Sequence, residues 1–90
     1  MKNPKCILIV DDEESIQKVV SLSLKMEASW ASIRASSGAE AIRQAEKHQP
    51  DAILLDVMMP DMDGIVTFEA LSKNPKTKAI PVVLLTAKTQ

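Results

Sequence analysis

Three carboxylates and one hydroxyl stand where this 90-residue sequence leaves its apolar runs. Asp11 and Asp12 follow CILIV, Asp56 follows AILL, and Thr86 follows PVVLL. Each has a plain structural use: Asp11 or Asp12 as a helix cap, Asp56 as the start of a turn, Thr86 as the end of a strand. Together they point further, because three carboxylates on one edge repel each other unless a cation joins them. The fitting ion is Mg²⁺, with Mn²⁺ as an alternative: hard, oxygen-seeking, and content with one or two carboxylates plus waters and a phosphate. Calcium is the nearest competitor, since Asp61-Met62-Asp63-Gly64 looks like half of an EF-hand loop. With Gly64 at the sixth position of such a loop, Met59 falls at the first and Ala70 at the twelfth, where Asp and Glu are needed. Calcium in that loop is excluded on both ligands.

Other chemistries are excluded by composition. Gly38 and Gly64 are the only glycines, so no glycine-rich phosphate loop exists. His48 is the only histidine and reads as an exposed residue at a helix end, which leaves no set of histidines for a metal. The single cysteine, Cys6, excludes an internal disulfide and suits a reducing compartment. Met58, Met59 and Met62 read as loop packing, since a hard cation does not select sulfur. A formal charge of −1 supplies no footprint for nucleic acid or an anionic membrane, and Lys73, Lys76, Lys78 and Lys88 read as a solvated edge. No apolar run approaches a membrane span, and residues 1–4 are too short for a signal peptide. The expectation is one cytoplasmic domain with no membrane or direct nucleic-acid contact.

The elements that must position the acids alternate along the chain. Residues 5–10 (KCILIV) are apolar at consecutive positions, as in a strand buried on both faces of a parallel sheet. Asp11 and Glu14 have capping-box spacing. A helix over 14–26 is predicted with Ile16, Val19, Val20 and Leu24 inward, broadened by Leu22 and Met26. Residues 28–35 form a weaker strand packed through Trp30 and Ile33, and a small-residue helix runs from Ala39 to near His48. Residues 52–55 repeat the buried-strand pattern and end at Asp56, before a turn over 57–64. Ile65, Phe68 and Leu71 mark a third helix ended by Asn74-Pro75, residues 76–79 form a polar connection, and residues 80–85 make a fourth strand with Pro81 at its start. The order βαβαβαβ implies an α/β fold with a parallel sheet and helices on both faces. Ligands of such sheets gather beyond the carboxyl ends of the strands, where the acids stand.

The blocks ILIVDDEE (7–14), ILLDVMMPDMDG (53–64) and PVVLLTAK (81–88) resemble the receiver domain of bacterial two-component response regulators. The resemblance runs over essentially the whole chain and implies a CheY-like (flavodoxin-like) doubly wound sheet. By that resemblance Asp56 is the phosphoacceptor, Asp12 a direct metal ligand and Asp11 a ligand acting largely through water, with Asp56 itself and the Met58 backbone carbonyl completing the metal's protein ligands. Thr86 matches the switch hydroxyl, and Ala87 the small residue that leaves room for the phosphoryl group. The implied function is that of a signalling module, not an enzyme, receiving a phosphoryl group from a sensor histidine kinase or phosphotransfer protein with Mg²⁺.

The resemblance also implies missing parts. A complete receiver continues with a helix, a fifth strand carrying a lysine, and a last helix, so residues 1–90 read as one receiver domain truncated after its fourth strand. Lys88, two residues past Thr86, does not replace that lysine. Without the fifth strand the apolar fourth strand is an edge, which predicts a homodimer or higher assembly through it. A phosphorylation-independent pseudo-receiver acting in interaction or dimerisation is the alternative. An Asp-nucleophile phosphatase would want a second Asp two residues after Asp56, where Met58 stands.

Overall fold

The computed structural model describes residues 5–58 and 64–85. Strand β1 (Cys6–Val10) leads through α1 (Glu14–Ala28) to β2 (Ala31–Ala35), and α2 (Gly38–His48) leads to β3 (Ala52–Asp56). Helix α3 (Gly64–Lys73) then precedes β4 (Val82–Leu85). The strands form one parallel sheet in the order β2-β1-β3-β4, with β1 and β3 inside and β2 and β4 at the edges.

Burial follows that order. Leu8, Val10, Ile53 and Leu55 point to one face and pack with Ala35, Ala41, Ala45 and Leu71 as the fully buried core beneath α2 and α3. By strand alternation Ile7 and Ile9 face the other way, and α1 lies against β1 and β2. Both are buried. The consecutive apolar residues of β1 are thus covered on both faces, as a strand inside a parallel sheet requires.

Several expected details are corrected. Helix α1 continues to Ala28, where Ser29 adopts the left-handed conformation (φ 58°) and donates its N–H to the Lys25 carbonyl at 3.0 Å. Strand β2 therefore starts at Ala31, and Trp30 stands before it with 36% of its surface exposed. Ile33, the other packing candidate, does pack against the core. The inward face of α1 is Gln17, Val20, Ser21 and Leu24, while Ile16, Val19, Leu22 and Met26 are exposed. Asp11 and Glu14 form no capping box: the residue capping α1 is Glu13, and the Asp11 carboxylate accepts the Glu13 N–H at 2.9 Å. In α3 the buried residues are Gly64, Thr67 and Leu71, with Ile65 and Phe68 outward. At its first turn the buried residue is Gly64, which lets the helix backbone approach β3 closely.

The connections are tied down by side chains. Ser37 caps α2 by accepting the Glu40 N–H at 3.1 Å, and Glu40 accepts the Ser36 N–H in return at 2.8 Å. His48 ends α2 exposed, as expected. Gln49, left-handed at φ 48°, donates its side-chain amide to the carbonyls of Ala45, Glu46 and Lys76. The connection after α3 is more than a polar link, since Thr77 is buried and its hydroxyl donates to the Leu71 carbonyl at 2.7 Å. Pro81 stands immediately before β4, and its carbonyl accepts the Ile53 N–H at 2.9 Å.

Candidate functional site

Parallel pairing of β1 with β3 sets Val10 beside Leu55. The next residue on each strand is an acid, so Asp11 and Asp56 emerge side by side at the carboxyl edge of the sheet. Asp12 joins them from the start of the β1–α1 connection. One carboxylate oxygen from each of the three lies within 4.8 Å of the others. Asp11 and Asp56 are buried (4% and 2% exposed) and Asp12 is exposed, giving a site walled by protein on one side and open on the other.

The local backbone holds these groups in place. The Asp56 carboxylate accepts the Met58 N–H at 3.0 Å, which fixes both the acid and the start of the turn. Val57 donates its N–H to the Leu85 carbonyl at 3.2 Å and accepts the Gly64 N–H at 3.1 Å, tying the turn to β4 and α3. On the other strand the Asp11 N–H donates to the Ala35 carbonyl at 3.1 Å. The amide of Gln17, buried in α1, reaches the Asp11 carbonyl at 2.6 Å and the Ala35 carbonyl at 3.1 Å. Gln17 thus fastens the ends of β1 and β2 under the acidic edge.

The structure brings together Asp11, Asp12 and Asp56, with Met58 two residues on. Thr86 lies outside the described residues, as do Ala87, Lys88, Asp61 and Asp63; Leu85, the residue before Thr86, pairs with Asp56. Two positions at the site escaped sequence reasoning. Gln17, like Ser21, interrupts the apolar face of α1, and a polar residue at an inward position is its only signal. Gly64 reads as a turn former, but its close approach to β3 is visible only in three dimensions.

The donor set is all oxygen and carries up to three negative charges, which fits a small hard divalent cation and no soft one. Asp11, Asp12, Asp56 and the Met58 carbonyl are the groups that would hold it. Among the described residues no helix is long and apolar enough to cross a membrane.

A family model described as the response regulator receiver domain matches residues 7–90. The alkaline phosphatase synthesis transcriptional regulatory protein PhoP of Bacillus subtilis is 43% identical over 84 residues, covering 93% of this chain and 34% of that protein. Among solved structures, the N-terminal domain of a response regulator receiver protein from Methanoculleus marisnigri is 39% identical with a TM-score of 0.90, covering 98% of this chain and 71% of that one. The chemotaxis response regulator CheY4 of Vibrio cholerae is 34% identical with a TM-score of 0.86, covering 98% and 72%. The chain spans between about a fifth and about a third of the length of the curated relatives it matches. The fold is accordingly CheY-like.

Proposed function

Because this chain belongs to the response regulator receiver domain family, we propose that it accepts a phosphoryl group on Asp56 from a histidine kinase or a phosphotransfer protein. The observation that carries this reading is the convergence of Asp11, Asp12 and Asp56 within 4.8 Å at one sheet edge. An Asp56 carboxylate oxygen forms a bond to phosphorus as the bond from phosphorus to the donor's leaving atom breaks, giving an acyl phosphate. Asp11, Asp12, Asp56 and the Met58 carbonyl hold Mg²⁺, or Mn²⁺ in its place. When bound, the cation neutralises charge on the carboxylates and the phosphoryl oxygens, the main requirement of phosphoryl transfer. The Met58 N–H anchors one oxygen of the Asp56 carboxylate at the sheet edge. The Thr86 hydroxyl donates to a phosphoryl oxygen after transfer.

The module turns over no separate substrate; it is a signalling element, and its setting is the cytoplasm. Incubation with acetyl phosphate and Mg²⁺ followed by mass spectrometry tests the reading: one phosphoryl adduct on Asp56 is expected, and an adduct on another residue refutes the assignment. No adduct under saturating donor leaves the pseudo-receiver.

That second reading has an observation of its own. Val83 (49% exposed) and Leu84 (37%) leave edge strand β4 apolar and solvent-facing on both sides. Pairing through β4 makes a homodimer or larger assembly, whether or not Asp56 is phosphorylated. Sedimentation at micromolar concentration should find it, and Val83→Lys should shift it toward the monomer.

A further inference from the structure

Gly64 opens α3 against the backbone that carries the acceptor. A Cβ placed on it would fall inside the van der Waals envelope of the Val57 Cα and lie 2.5 Å from the Asp56 carbonyl oxygen. Both neighbours are backbone of β3 and its exit turn, so no side-chain rotation relieves the overlap. The Gly64 N–H also donates to the Val57 carbonyl at 3.1 Å, one residue from the carboxylate that accepts the Met58 N–H.

We propose that Gly64 is a positioning residue for metal binding and phosphoryl transfer: the bare Cα lets α3 seat directly on Asp56–Val57, and this seat fixes the Asp56 carboxylate and the Met58 backbone relative to Asp11 and Asp12. The inference rests on the reading of Asp56 as a metal-assisted phosphoacceptor. A side chain at residue 64 must push α3 and the β3 exit apart, while Asp11, which Asp12 follows directly, stays fastened to Ala35 and to Gln17. The carboxylates then separate because only one half of the site moves.

The test uses the whole 90-residue chain, whose two glycines allow ¹⁵N-glycine labelling to report on Gly38 and Gly64 alone. Titrating Mg²⁺ into the wild type should move the Gly64 amide resonance well beyond that of Gly38. In Gly64→Ala, checked as folded by circular dichroism in EDTA, the Mg²⁺ dissociation constant should rise about tenfold, the usual cost of disturbing a group behind the ligands. Acetyl phosphate labelling of Asp56 should stay slow even at saturating Mg²⁺. A purely structural role would lower the unfolding temperature and leave the affinity of the folded variant unchanged, which overturns the proposal. Should the variant fail to fold, the wild-type titration decides: a Gly64 resonance that stays put while calorimetry records Mg²⁺ binding also overturns it. A wild type that takes up neither Mg²⁺ nor phosphoryl group instead removes the Asp56 reading, and this inference with it.

Discussion

The interior strands and β4 are built from the same kind of apolar sequence, ILIV and AILL against VVLL, yet they meet opposite conditions. Leu8, Val10, Ile53 and Leu55 are fully buried, whereas Val83 is 49% and Leu84 37% exposed. The difference is position in the sheet. β1 and β3 have a strand on each side, and β1 has helices on both faces, while among the described residues β4 has one neighbouring strand and little helix contact. Apolar composition decides that a segment becomes a strand of this sheet; neighbours decide whether its side chains leave water. The acids stand at the end of these two interior strands or directly after them.

Truncation is the sharpest way to break that contrast. Leu8→Ala should cost about 2–5 kcal/mol in denaturant unfolding, through lost burial and a cavity under α2. Val83→Ala should cost under about 1 kcal/mol, as for an exposed site. If the two losses are equal at micromolar concentration and diverge on dilution, β4 is covered in solution by another chain.

A smaller effect separates packing from fastening within the buried half. Gln17→Leu keeps the volume near α1 but removes the amide from the Asp11 and Ala35 carbonyls. The expected loss is about 1–3 kcal/mol, measured by urea unfolding. Unchanged stability would mean that β-sheet pairing alone fixes the end of β1.

The weakest prediction concerns the opposite end of the same strand. The Cys6 thiol is pushed above its ordinary value, first by burial and then by the nearby Asp51 carboxylate. The folded state therefore holds the thiol proton more tightly than the unfolded chain does. This contribution is fully present below the unfolded thiol value and is lost as pH rises through the raised one. Alkylation at about pH 8.5 should be slower than for a free cysteine, and Cys6→Ser should remove a small alkaline decline in stability. Alkylation at the free-thiol rate would contradict the shift.

The acidic edge was legible because each acid ends an apolar run, and a parallel sheet sends the ends of successive strands to one side. Strand order then made Asp11 and Asp56 neighbours, which spacing alone does not state. Less legible were the helix faces. Hydrophobicity ranked Ile16 and Val19 above Gln17, but the Gln17 amide finds carbonyl partners at two strand ends, which removes most of its burial cost. In α3, Ile65 and Phe68 outrank Gly64 by the same measure, yet close approach to Val57 requires the glycine to face inward. Trp30 was misplaced because α1 runs to Ala28 and is ended by the left-handed Ser29, a position where glycine is usual, so that β2 begins only at Ala31.

The two left-handed residues bear on how this chain tolerates changes of length. Ser29 and Trp30 alone separate α1 from β2, and Gln49, Pro50 and Asp51 alone separate α2 from β3. Each connection is held by hydrogen bonds on both sides: Ser29 to α1, Ala31 to Lys5, Gln49 to α2 and to Lys76, Asp51 to Cys6. These connections behave as rulers. One added residue that entered β2 would slide its register by one and send Ile33 and Ala35 to the opposite faces. The same slip in β3 would turn Asp56 away from Asp11. At these corners the chain accepts a changed residue far more readily than a changed count.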